Sequence, residues 1–380
     1  PRMFYNKNGG NWAVDSVPVV NGSIFTFNFN YAALGGVQQL DTIQYYFATL
    51  NTPGVVTTSP LGGSGNSPVG STPPPTVYDY QILAQVSGNY LVGVSNPNAD
   101  FPTITAAVNF INAGLTVGSA NFILIDSAYG AGESFPIVLN PINGSSRTNH
   151  IRFTVDSSRS EVLVSGSSTQ GLLHLRGVSN FEINGAGAGG SRALHIANGS
   201  QATGSMGIWV QSTLAAGVDS LIIANTRISG GTNTVSANYA LYVAGTTVST
   251  AGTGDNMRLI RIEGNELRNA YYGLYLRGTT TSAAQNITIR GNLIGDTAVA
   301  TTISAKGMDL QNLINGLVEG NEIRNITGTF SFARSGIEFG GTGSQNLVVN
   351  ANKIYGVFTP ATNGAHGLYV ISGNGMRLTN

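Results

Sequence analysis

Cysteine is absent from all 380 residues, which excludes disulfide staples and thiolate metal sites alike. Charge is scarce, at 9% of the chain against a usual ~25%. The formal net charge is +0 and the basic residues are dispersed, so the electrostatic footprint of a nucleic-acid binder is missing. No apolar run approaches the ~18 residues that a membrane-spanning helix requires. Long runs with helical periodicity are missing too, because Gly and Asn interrupt the apolar pattern every few residues. The opening PRMFYNKNGG contains neither an initiator Met nor a signal peptide. The closing MRLTN reads as the start of one more repeat unit, with Asn380 falling 28 residues after Asn352. Both ends are therefore expected to be cuts inside a longer protein. Glycine is plentiful, at 51 residues, roughly twice the usual ~7%, and shows no collagen period. With 41% apolar residues the chain can still build a large core, which fits an all-β protein with many tight turns.

The stretch from Asn256 to Tyr355 shows how those turns are organised. It contains RLIRIEGNELRNA, NITIRGNLIGD, GLVEGNEIRNI and LVVNANKIYG. Each has an alternating apolar strand, a small residue, Asn, and then Leu or Ile one position later. Asn265, Asn292, Asn321 and Asn352 are 27, 29 and 31 residues apart. That period with that alternation signals a solenoid of short strands. Earlier members of the series are FEIN, ending at Asn184, and LIIAN, ending at Asn225. Stacked Asn side chains at one corner can donate to the next coil and accept from the previous one. Asn225, Asn265, Asn292, Asn321 and Asn352 are thus expected to form a structural ladder; ordinary turn preference is the alternative.

A second series, LLHL, GIWV, ALYV, GLYL, GMDL, GIEF and GLYV, gives each coil another strand, and the NEL, NLI, NEI and NKI segments suggest a third. Seven or eight coils at about 4.8 Å each make a rod of about 35–40 Å. Three regions are expected. Residues 1–58 alternate like antiparallel strands and predict a partial β-sandwich. Residues 59–84 hold a Gly/Ser/Pro-rich linker, SPLGGSGNSPVGSTPPP, and a lead-in. Residues 85–380 form the solenoid. Within it ADFPTITAAVNFINAG predicts a capping helix, with Thr103 as N-cap, Ala106, Ala107, Phe110 and Ile111 as its apolar face, and Gly114 after its end.

From 85 to 380 the chain resembles the right-handed parallel β-helix of the pectate-lyase-like superfamily, capping helix included. More narrowly, PRMFYNKNGGNW, DTIQYYFATL, GGSGNSPVGSTPPP and SGNYLVGVSNPNADFPTITAAVNFINAG are similar to a module pair of very large Bacteroidota surface proteins. There an Ig-like sandwich repeat precedes a β-helix. That resemblance implies export by the type IX secretion system, an extracellular place at the bacterial cell surface, and a role as an adhesin. It also implies partners: a surface polysaccharide or glycan, another cell-surface protein, and the secretion machinery during export.

The middle residues of the second series should point away from the coil core. They are His174, Trp209, Tyr242, Tyr275, Asp309, Glu338 and Tyr369. An outward aromatic column with two carboxylates suits a glycan, by stacking on sugar faces and accepting from hydroxyls. The alternative is that a loop or neighbouring domain covers it. Asp309 and Glu338, on adjacent coils, would lie about 5 Å apart, near the separation of a retaining glycosidase pair. The same pair could hold a Ca²⁺ ion, and no other cofactor is implied. Against catalysis, the chain lacks the Asn-Thr-Asp, Asp-Asp, Gly-His-Gly and Arg-Ile-Lys set of polygalacturonases and the Arg-x-Pro-x-x-Arg of the lyases. A further outward column, Glu182, Ile223, Glu263, Arg290, Glu319 and Asn350, is expected to be structural.

Five of ten Asp residues precede Ser or Thr and then an apolar residue. This is similar to the O-glycosylation signal of Bacteroidota and implies Ser16, Thr42, Ser127, Ser220 and Thr297 as acceptors; turn initiation by Asp is the plain alternative. Sequence alone therefore points to a non-catalytic adhesion or glycan-binding segment. A polysaccharide lyase or hydrolase and a purely structural stalk remain open.

Overall fold

A computed structural model of the chain describes residues 1–16, 19–51, 53–190, 192–329, 332–360 and 364–379. Asn380, expected at the next corner, lies outside them. Contacts divide the chain into Pro1–Ala84 and Gln85–Asn380.

In the second unit the alternating segments coil into a right-handed parallel β-solenoid of about 9 turns. The count exceeds the expected seven or eight because the first coils lack the Asn corner that marks the later ones. Three parallel sheets run along the stack. The Asn-corner sheet has ten strands, from Ala84–Val92 to Arg377–Thr379. The middle sheet has eight, from Ala128–Tyr129 to Lys353–Tyr355. The third sheet also has eight, from Ile137–Leu139 to Ala365–Val370, and holds the aromatic series. A fourth sheet of four very short strands runs from Val218–Asp219 to Leu313–Ile314. Alternate residues of the three main sheets point inward and fill one continuous core, with Ile223, Ile262, Ile289 and Val318 in line down its axis.

Register is locked at two places. At the Asn corner, Asn225, Gly264, Gly291, Gly320 and Ala351 all have φ between 51° and 66°, left-handed backbone that Gly and Asn adopt most easily. At a bend in the third sheet, Gly273, Gly307 and Gly336 lie so close to the next coil that an added Cβ would fall 2.4–2.6 Å from its carbonyl oxygen. This explains the recurring Gly of GLYL, GMDL and GIEF.

The helix spans Ile104–Ala113, with Thr103 Oγ1 accepting from Ala106 N–H at 3.0 Å. Glu133 reinforces that cap, accepting from the Ile104 and Thr105 N–H groups at 2.7 Å each. Its buried face is Ile104, Ala107, Val108 and Ile111. Ala106 and Phe110, expected there, are only half-buried. Gly114 is extended, with φ −96°, and opens the next strand in place of a left-handed cap.

The first unit departs further from expectation. One five-stranded antiparallel sheet takes in Arg2–Lys7, Ala13–Asp15, Thr42–Leu50, Val56–Ser59 and Tyr78–Gln81. The supposed linker 59–84 is therefore folded: Tyr78–Gln81 pairs with Thr42–Tyr45, and Ser64–Asn66 makes a hairpin with Val69–Thr72. That hairpin covers one sheet face, since Tyr46 Oη donates to Gly70 O at 2.9 Å and Gly70 lies against Ala48. Phe29 covers the other, 5.3–5.5 Å from the rings of Tyr5, Tyr45 and Tyr80. The sheet is thus packed on both sides by its own connections.

Candidate functional site

Asn265, Asn292, Asn321 and Asn352 form a continuous ladder. Asn292 Oδ1 accepts from the Asn265 N–H at 2.9 Å and from Asn265 Nδ2 at 3.1 Å. Asn292 Nδ2 donates forward to Asn321 Oδ1 at 2.9 Å and back to Ile262 O at 2.8 Å. Asn321 and Asn352 repeat the pattern. Asn225 does not belong to it. It occupies the left-handed corner position and reaches Asn184 Oδ1 at 3.0 Å, while Thr226 stands at the ladder position and donates through N–H and Oγ1 to Asn265 Oδ1. In LIIAN only Ala224 separates the core Ile223 from the Asn, where Glu263 and Gly264 separate Ile262 from Asn265, and that shifts the Asn by one place.

The second series lies in register, as adjacent pairs from His174–Trp209 to Glu338–Tyr369. Its side chains leave the coil core but do not reach solvent. Tyr242 and Tyr275 are 0% exposed, His174 and Asp309 1%, Trp209 5% and Glu338 7%. The expected open stripe is therefore corrected to a second, sealed core. The loop after Tyr239–Ala244 makes the cover: Trp209 Nε1 donates to Gly245 O, Tyr242 Oη to Thr247 O, and Tyr275 Oη to Gly252 O. Tyr239 and Tyr272, one outward position earlier on their strands, complete it. Burial raises the pKa of all four tyrosines, Tyr242 to about 12. Only Tyr369 stays open, 39% exposed and stacked on His366 at 4.6 Å.

Where the aromatic column ends, three charges meet. Lys306, in the column of Tyr239 and Tyr272, places Nζ 2.8 Å from Asp309 Oδ2 and 2.6 Å from Glu338 Oε1. Gln311 Nε2 donates to Asp309 Oδ1 at 2.7 Å, and Ser335 Oγ to Glu338 Oε2 at 3.1 Å. All four carboxylate oxygens are therefore occupied. The cation between the carboxylates, in the place a Ca²⁺ ion would take, is the Lys306 ammonium. Burial alone would lower its pKa, but Asp309 and Glu338 together outweigh burial and hold that pKa above the ordinary lysine value. Lys306 escaped the sequence reading because strict alternation puts it on the face opposite Asp309, and the bend at Gly307 brings both to one side.

Elsewhere, Glu263, Arg290, Glu319 and Asn350 stack in register, with Arg290 Nε 3.0 Å from Glu319. Ile223 is in the core and Glu182 stands beside Arg152, one column away. Of the proposed sugar acceptors, Ser16, Ser127 and Thr297 are exposed, while Thr42 and Ser220 are half-buried.

A buried histidine, His174, and a half-buried one, His195, give the molecule an acid sensitivity. His174 stacks on Trp209 at 4.0 Å and contacts Gln211; His195 contacts Ser229 Oγ. Burial lowers each pKa to about 4. The unfolded chain takes up these protons near pH 6.5 and the folded chain refuses them until about 4, so stability is complete above that window and falls as pH drops through it. Lowering the pH from 7 to 4 should cost on the order of 3 kcal/mol for each, or about 5–6 kcal/mol for the pair, read from denaturation midpoints. His174→Gln should flatten the slope by about half; an unchanged slope would remove His174 from the effect.

No family matches the chain, and no curated protein or solved structure gives a match.

Proposed function

We propose that this chain is a non-catalytic, stiff segment of a large secreted protein of the bacterial cell surface, serving adhesion by holding and presenting binding surface. The saturated carboxylate pair supports this most directly. A glycosidase needs one carboxyl that keeps a proton and another facing the sugar or a water; Asp309 and Glu338 spend every oxygen on Lys306, Gln311 and Ser335. The resemblance to pectate-lyase-like β-helices and to type IX-secreted Bacteroidota adhesins supports the class of protein. A glycan would use what remains open of the aromatic column, Tyr369 with His366. O-linked sugars fall most readily on exposed Ser16, Ser127 and Thr297.

The chain made in a host with that glycosylation machinery tests the reading. Against a panel of surface polysaccharides it should release no product, and its intact mass should exceed the sequence mass by whole sugars. Retention lost in Tyr369→Ala supports glycan adhesion, whereas no retention points to a spacer. Product release abolished by Asp309→Asn would overturn the non-catalytic assignment.

A further inference from the structure

The Lys306–Asp309–Glu338 cluster has the parts of a self-condensing site. We propose that Lys306 Nζ and Glu338 Cδ form an intramolecular amide that staples two adjacent coils, with Asp309 as the proton acceptor.

Four observations meet here. The amine lies within hydrogen-bond reach of both carboxylates, 2.6 Å from Glu338 and 2.8 Å from Asp309, a proximity worth many orders of magnitude in effective concentration. The side chains of Asp309, Glu338 and Lys306 are 2%, 10% and 18% exposed, and Tyr272 lies under the ammonium at 5.5 Å. Little water is present to reverse a condensation, and burying three charges of net −1 favours an outcome that consumes an ion pair. Ser335 donates to Glu338 Oε2, polarising the carbonyl to be attacked. Finally, two carboxylates are present for one amine, one to react and one to move protons. Glu338 is the electrophile because it makes the shorter contact and lies on the next coil. Asp309 is on Lys306's own strand, where an amide would close a small ring across the bend at Gly307.

The step balances without a co-reactant. The ammonium gives one proton to Glu338 Oε1, leaving a neutral amine and a carboxylic acid. The amine lone pair attacks Glu338 Cδ. Asp309 takes a second proton from the nitrogen and passes it to the departing hydroxyl, which leaves as water. Ammonium plus carboxylate become amide plus water, and Asp309 ends ionised as it began.

The test is the mass of the recombinant 380-residue chain after prolonged incubation in the folded state, in a host without sugar transfer. The expected mass is below the sequence mass by one water, about 18 Da. Trypsin should leave 291–324 joined to 335–353, with cleavage at Lys306 blocked. Glu338→Gln should lose ammonia instead, about 17 Da, while Lys306→Arg and Asp309→Asn keep full mass. Wild-type chain at full sequence mass overturns the proposal, as does a water loss mapped within 291–324 alone. The wild-type measurement decides even where a variant fails to fold.

Discussion

Asn292→Ala is expected to destabilise the solenoid by about 3–5 kcal/mol. The side chain makes four hydrogen bonds at a position 1% exposed to solvent. Its removal strands the Asn265 N–H, one amide proton of Asn265 and the Ile262 carbonyl, each buried and each costing about 1–3 kcal/mol when left unmet, with partial relief as water enters. Native-state amide exchange gives the direct readout, since the Asn265 N–H donates to the deleted oxygen and should lose most of its protection. Asn292→Asp should be as damaging at neutral pH, because it turns the amide donor toward Ile262 O and Asn321 Oδ1 into a charged acceptor. Unchanged protection at Asn265 in Asn292→Ala would reduce the ladder to a coincidence of turn preference.

Lys306→Met should cost about 3–5 kcal/mol. Whether Lys306 acts as an ammonium or as part of an amide, its loss leaves Asp309 and Glu338 facing each other in a buried site without a cation. The triple change Lys306→Met, Asp309→Asn and Glu338→Gln should recover much of the loss, because breaking a buried ion cluster is far costlier than replacing it whole. Chemical denaturation with an unchanged m-value would establish this as a stability effect. A triple variant no more stable than Lys306→Met would show that the lysine contributes packing and not charge.

The solenoid was legible because its determinants are local and periodic. Asn, a small residue before it and alternating apolar strands recur in every later coil, and stacking makes each recurrence a contact. What was missed depends on non-periodic segments. The loop from Gly245 to Gly254 has no repeat and little apolar content, yet its carbonyls accept from Trp209, Tyr242 and Tyr275 and turn an apparent binding stripe into a core. An outward direction can be read from alternation; solvent exposure cannot, because it depends on distant chain. The stretch 59–84 looked like a connector on composition, but Gly70 is needed there for close approach to Ala48. Asn225 shows the limit of a motif shorter by one residue, since the corner accepts Asn or Gly equally and the ladder follows position.

The spacing between successive corners also shows where the chain tolerates change. In four later coils two residues separate the Asn-corner strand from the middle strand: Gly264 and Asn265, Gly291 and Asn292, Gly320 and Asn321, Ala351 and Asn352. Among these four coils all the length variation falls at the other corners, whereas the earlier stretch 185–193 enlarges the Asn corner itself. Over these coils one edge of the solenoid is therefore ruled like a straightedge, while the remaining edges are free to vary. Descendants of this sequence can acquire new surfaces there by insertion and leave the ruled edge, and with it the winding, untouched.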